Sequence, residues 1–257
     1  MAELTDWVRR IAAAQDPRVS QTTPVVRLLT HPLPTRPFPV AEAEVFLCAG
    51  VAVRRHPAGT DPHGLAERLA VLREPDLEPL WVQPLGYRPL TLPDGRLATV
   101  WPRVSVLSTL DRPPWEEVGR LLARLHRARW VHGDFHLGQA LLTGDGWRII
   151  DFEGEPGASI ERRRQFDSPW RDVAGLLRSI DYARSANAEP DGQQARAWAQ
   201  RARAAFLAGY GVTDSGSAVL RAYEVHRMLY EVGYELRNRP DWVRIPLAAV
   251  EDMTRVD

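Results

Sequence analysis

Val131–Gly154 reads VHGDFHLGQALLTGDGWRIIDFEG, and its punctuation decides how the chain is built. A polar loop, His132–His136, leads into the apolar segment ALL. Gly144-Asp145-Gly146 then reverses the chain, and WRII runs back to Asp151. Two apolar segments around a glycine-rich turn predict a β-hairpin. The hairpin brings Asp134 and Asp151, 17 residues apart, to the same end, with Gln139 between them. Two carboxylates and a carboxamide are hard oxygen donors of the kind that hold magnesium against the phosphates of a nucleotide. Asp134 lies in a loop between a helical pattern and a strand, where a carboxylate can accept the proton of an incoming hydroxyl. Gly133 permits a backbone shape that other residues adopt only at a cost. Gln139 offers a carbonyl oxygen to a cation, and Asp151 places its carboxylate at a strand terminus.

Composition narrows the alternatives. The 257 residues carry 33 basic and 33 acidic side chains, so no global charge suggests a nucleic acid or an anionic membrane as partner. No apolar run approaches the roughly 20 residues of a membrane helix, and MAELTDWVRR lacks the order of a secretory signal. The expected location is the cytoplasm. A single cysteine, Cys48, excludes an internal disulfide and a multi-cysteine metal site. There is no lysine at all, which excludes Schiff-base chemistry and a Walker-type phosphate loop. Any phosphate clamp must use arginine.

Along the chain, Leu4, Trp7, Val8 and Ile11 predict a helix ending near Asp16-Pro17. Pro24–Leu29, Glu42–Cys48 and Val51–His56 read as strands, the last two joined at Ala49-Gly50, and His31–Pro39 reads as a loop. Asp61 is placed to cap a helix over His63–Arg73, and Leu80–Tyr87 and Arg96–Val100 read as a further strand pair. Helical signals take over after Val100–Val104 (VWPRV). They run from Pro113-Pro114 to His126, then over Asp172–Ser185, Gln193–Ala208 and Ser215–Leu236, before the turn NRPDW and a short tail. The fold class is therefore α+β and bilobal. A small, mainly β N-lobe spans 1–104 and a larger helical C-lobe spans 105–257, with a cleft expected near VWPRV.

The loop pair resembles the catalytic and metal-binding loops of the aminoglycoside phosphotransferase superfamily, relatives of the protein kinases. Gln139 stands where asparagine is usual. That change, HLGQ and DFEGEP are similar to the maltokinases, which phosphorylate the anomeric hydroxyl of maltose. The likeness continues through Asp167-Ser168-Pro169, Arg171–Gly175 and Arg178–Ala183, then Tyr230-Glu231, Tyr234-Glu235, NRPDW and Ile245-Pro246-Leu247.

The resemblance implies a protein-kinase-like fold using ATP and Mg2+. Asp134 would be the catalytic base. Gln139, Asp151 and Glu153 would hold the metal, Asp172 would brace the catalytic loop, and His132 would support it. On the nucleotide side, Arg54 or Arg55 in VAVRRHPAG would take the phosphate-binding role usual for lysine, with Glu67 as partner and Glu74 as the alternative. Trp101 and Arg103 in VWPRV would form the hinge at the adenine edge. No glycine-rich loop is visible before Glu42, so the nucleotide-binding N-lobe reads as abbreviated, with Thr35 and Arg36 the nearest phosphate cover. On the acceptor side stand His136, Arg178, Asp181, Tyr182, Glu231, Tyr234 and Glu235. Glu224, Glu231 and Glu235 lie beside a second stripe of Tyr223, Arg227, Tyr230 and Tyr234 on one helix. The implied substrate is a small-molecule sugar, maltose first, then glucosamine or another amino sugar, then an aminoglycoside. Association with other enzymes of glycan or trehalose metabolism is a further expectation. A pseudokinase-type binding module is the rival reading.

Overall fold

Alternating apolar residues build the first sheet. The computed structural model describes residues 2–29, 44–105, 113–151, 167–185, 189–190, 192–212 and 217–254. Strands β1 (Val25–Leu29), β2 (Glu44–Cys48), β3 (Val51–Arg55), β4 (Leu90–Thr91) and β5 (Leu97–Pro102) pair antiparallel in the order β1-β2-β3-β5-β4. The period of two sends Phe46, Cys48, Val51, Val53, Ala98 and Val100 to one face. Helix α1 (Ala2–Gln15) closes that face with Leu4, Val8 and Ala12, one residue per turn. Helix α2 (Pro62–Val71) starts where its cap dictates: the Asp61 carboxylate accepts from the amides of His63 and Gly64 at 3.1 and 2.9 Å.

One expected strand does not form. Glu78–Leu80 is a single 3-10 turn, Trp81 makes one parallel bridge to Ile149, and β5 pairs with Leu90–Thr91 instead of with Leu80–Tyr87. Pro79, Pro84 and Gly86 explain this, since proline has no amide for a ladder and glycine weakens one.

The helical part comprises α3 (Trp115–Arg127), the hairpin β6 (Ala140–Thr143) and β7 (Gly146–Ile149), then α4 (Pro169–Ser185), α5 (Gln193–Tyr210) and α6 (Ala218–Asn238). The expected tail is instead a helix. After a 3-10 turn at Pro240–Trp242, α7 runs over Arg244–Thr254, with Pro246 in its first turn, where a missing amide costs nothing. No helix among the described residues is long and apolar enough to cross a membrane.

The chain packs as two units. One contains the described residues of Met1–His31, Val40–Ser108 and Leu142–Ile150, and the other those of Thr109–Leu141 and Asp151–Asp257. Dividing the sequence at 104 would put Leu142–Ile150 in the second unit. It packs with the first because Ile149 bridges Trp81 and its carbonyl accepts from the Val82 amide at 3.2 Å.

Within the second unit α4 is buried on every side, with Asp172–Ile180 and Tyr182 all shielded. A helix this apolar and enclosed is the axis around which a helical unit packs. Its Gly175 passes so close to the loop His132–Leu137 that an added Cβ would lie 2.5 Å from the Phe135 carbonyl oxygen. Gly175→Ala is therefore expected to cost about 1–3 kcal/mol by overpacking, measured as a lower urea midpoint. An unchanged midpoint would show that α4 and the loop do not pack this closely in solution.

Candidate active site

The loop His132–Leu137 is laid along one face of α4. Asp172, Gly175 and Ser179 fall at i, i+3 and i+7, so all three point the same way. The Asp172 carboxylate, fully buried, accepts from the amides of His132 at 2.6 Å and Gly133 at 2.8 Å. Gly175 leaves room for Phe135, and Ser179 Oγ accepts from the Leu137 amide at 3.0 Å. Gly133 has φ +82°, a left-handed value that glycine takes without strain. Asp172 is held in turn by His126 Nε2 at 3.0 Å, and His126 Nδ1 meets the Tyr210 hydroxyl at 2.7 Å. Burial and the nearby Asp172 charge push the Tyr210 hydroxyl up to about 12. The Tyr210 hydroxyl stays protonated, and His126 bridges it to Asp172.

This frame presents Asp134, whose side chain is 7% exposed. Arg227 Nη2 on α6 donates to its Oδ1 at 3.1 Å, and His136 Nε2 lies 4.0 Å from its Oδ2. His136 Nδ1 accepts from the Gly138 amide at 3.0 Å and so caps the short turn Leu137–Gln139. In the neutral ring the proton then sits on Nε2, toward Asp134. His132 Nδ1 accepts from the Asp134 amide at 3.4 Å, and its ring meets Phe135 edge-on.

The hairpin returns the chain so that Asp151 meets Gln139. Gln139 Nε2 donates to Asp151 Oδ2 at 3.4 Å. Gln139 Oε1 is buried with no hydrogen-bond partner among the described residues. A buried carbonyl oxygen without a donor is costly, and a cation beside a carboxylate would satisfy it. Asp151 has φ +63°, a left-handed conformation that non-glycine residues adopt at a cost and that recurs at functional sites. These residues fit a magnesium ion. Glu153 lies outside the described residues.

On the sheet, Arg55 shares the face of Val51 and Val53, and its guanidinium pairs with Glu44 and Asp94. Arg54 is on the other face, in register with Val45 and Thr99. Register puts Trp101 on that second face too, and its Nε1 donates to Thr99 Oγ1 at 2.8 Å. Glu67 is a half-exposed residue of α2, with His63 Nδ1 3.4 Å from its carboxylate. Most of VWPRV is strand. The Val100 carbonyl accepts from Leu85, the Arg103 amide donates to Gly50, and ladder alternation commits the Trp101 backbone to Ala52. The Trp101 backbone thus lies within the sheet ladder.

The family model described as Lipopolysaccharide kinase (Kdo/WaaP) family matches residues 97–210. A glucosamine kinase of Streptacidiphilus jiangxiensis is 31% identical over 141 residues, 48% of this chain and 31% of that protein. The match thus spans about a third of the relative's length. A solved glucosamine kinase in complex with glucosamine, ADP and inorganic phosphate has a TM-score of 0.62 at 21% identity, covering 81% of this chain and 78% of the other. The GDP complex of an aminoglycoside 2'-phosphotransferase-IIIa gives 0.52 at 13% identity over 96% and 97%. The chain therefore has the protein-kinase-like fold.

In this kinase-like chain the expected acceptor residues bond mainly to one another. Arg178, Tyr182, Glu231 and Glu235 are all at or below 1% exposure. Arg178 Nε and Nη2 donate to Glu231 Oε2 at 3.0 and 2.9 Å, and Nη1 donates to Asp181 Oδ2 at 2.9 Å. Burial alone would work against the Arg178 charge, but Glu231 and Asp181 outweigh it and hold the guanidinium above its usual range. Tyr182 donates to Glu235 Oε1 at 3.0 Å, and Arg239 Nε and Nη2 reach Glu235 at 2.9 and 2.6 Å. Burial pushes the Glu235 carboxyl up, with Arg239 opposing. Burial, reinforced by Glu231 and Glu235, raises the Tyr182 hydroxyl. Arg239 lies over the rings of Trp242 (4.9 Å) and Tyr234 (5.7 Å), which makes NRPDW a structural turn against α6. Arg178, Tyr182, Glu231 and Glu235, expected on the acceptor side, thus lie in a buried framework. Asp181, at 20% exposure, is the most open of the set.

Four residues outside the expected site complete it: His126, Tyr210, Arg203 and Arg227. Arg203 joins Asp181 to Glu224, at 3.2 and 2.5 Å. None carries a sequence signal of its own, although Arg227 does share a helical face with Glu224 and Glu231.

Proposed function

We propose that the chain transfers the γ-phosphate of ATP to a hydroxyl of a small sugar, with an amino sugar of the glucosamine type as acceptor. One observation carries the reading: the buried Gln139 Oε1 and Asp151, with Asp134 five residues before Gln139 on a loop braced by Asp172. Asp134 accepts the acceptor hydroxyl's proton as the oxygen forms its bond to phosphorus and the β–γ bridge breaks to release ADP. Arg227 and the α4 face hold the Asp134 carboxylate in place. When bound, magnesium supplies charge neutralisation at the β- and γ-phosphate oxygens, and Gln139, Asp151 and Glu153 would hold it. Arg54, on the face of β3 opposite Val51, Val53 and Arg55, is the arginine proposed for the phosphate contact.

Two observations favour an amino sugar over maltose, which the sequence put first. The relative and the solved structure reported above are glucosamine kinases. In addition, the charge ladder behind Asp134 sets the carboxylates of Asp134, Glu231, Asp181 and Glu224 against the guanidiniums of Arg227, Arg178 and Arg203. Among the described pairs this ladder holds four carboxylates and three guanidiniums, a balance that suits an ammonium-bearing acceptor more than an acidic sugar.

ADP release is the test, with ATP, magnesium and a panel of glucosamine, maltose, Kdo and kanamycin. The expected result is turnover with glucosamine that stops when magnesium is chelated. Nucleotide binding by calorimetry without turnover on any acceptor would instead identify a pseudokinase-type binding module.

A further inference from the structure

The base is held from a distance of 93 residues. Arg227 Nη2 donates to Asp134 Oδ1 at 3.1 Å, and both side chains are below 10% exposure. Guanidinium and carboxylate are therefore both desolvated, where a charge-assisted bond is strong and directional. Arg227 is itself constrained: its Nε lies 3.8 Å from Glu231 Oε1, one turn along α6. Glu231 is fixed by Arg178, Arg178 also holds Asp181, and Asp181 is joined through Arg203 to Glu224. Glu224, Arg227 and Glu231 fall at i, i+3 and i+7, so one buried stripe of α6 supplies both ends of the ladder and its link to the base. An arginine restrained in this way cannot swing to a new rotamer without breaking a second buried pair.

We infer that Arg227 is a positioning residue for Asp134, which it fixes as an oriented, anionic carboxylate through the ladder of α6. The inference rests on the kinase reading above. The contacts described for Arg227 join it to the proposed base Asp134 and to Glu231. Its loss should therefore act on the chemical step and not on nucleotide affinity.

Arg227→Gln and Arg227→Lys are compared with the wild type by ADP release with glucosamine. Arg227→Gln is expected to lower kcat by about 10²-fold, as for a misplaced catalytic group, with the KM for ATP within about twofold. Arg227→Lys keeps the charge and should restore most of that loss. A Gln variant with wild-type kcat overturns the proposal, as does a Lys variant no better than Gln. A second measurement needs no substrate: thermal melting of Asp134→Asn, Arg227→Gln and the double variant. Non-additive shifts support the pairing, and additive shifts overturn it. If melting is non-additive but the wild type turns over no acceptor, the kinase reading falls while the Arg227–Asp134 coupling stands.

Discussion

Asp134→Asn is expected to lower glucosamine-dependent ADP release by about 10²–10⁴-fold, the usual contribution of a positioned general base. Asparagine keeps the size of the side chain and an oxygen for Arg227, so the loop stays in place on α4. It lacks the basicity to take a proton. Gln139 and Asp151 keep their own side chains and their mutual hydrogen bond, so magnesium-dependent ATP binding should remain near the wild-type value in calorimetry. A kcat within tenfold of wild type would remove Asp134 from the role of base. Lost nucleotide binding would mean that the substitution disturbs the metal site as well.

Asp172→Ala is expected to be the most damaging change for stability. The carboxylate accepts from two backbone amides of the catalytic loop and from His126, all in the interior. Alanine removes that acceptor from three donors at once and leaves a cavity beside the Tyr210–His126 pair. Losses of this kind cost about 3–5 kcal/mol. Asp172→Asn keeps one acceptor oxygen and should cost about half as much. Urea denaturation of both variants gives the comparison. Equal midpoints for Asp172→Ala and wild type would show that the loop holds its shape without this brace.

These two residues also mark how far the sequence could be read. Loop and hairpin were legible because each follows from local chemistry, and the Asp172 brace because the family resemblance implies it. A glycine precedes Asp134, a glycine-rich turn separates two apolar segments, and Asp172 opens an apolar helix. The Asp61 cap and the β2–β3 turn were legible for the same reason. The strand expected at Leu80–Tyr87 was not, because apolar content there competes with Pro79, Pro84 and Gly86, and the prolines prevail. The helix Arg244–Thr254 was hidden because Ile245-Pro246 looks like a helix stop until Pro246 is seen to occupy the first turn.

The acceptor side shows the deeper limit. Helical periodicity establishes that Glu224, Arg227, Glu231 and Glu235 line up, and a stripe of acids near tyrosines reads as a sugar-facing surface. Which element covers that stripe is a long-range fact. The structure places α4 against it, so Glu231 meets Arg178 and Glu235 meets Tyr182 and Arg239. The stripe's arginine reaches back to Asp134.

From sequence alone came the fold class, the loop pair with its proposed base and oxygen donors, and the absence of lysine. Each of these depends on residue type and spacing within a short stretch. Tertiary structure alone decided that Arg55 pairs with Glu44 and Asp94, which carboxylates are buried in a framework, and that Arg227 bonds to Asp134. Such pairings join residues tens of positions apart, and burial makes them strong by removing the water that would otherwise compete for each charge.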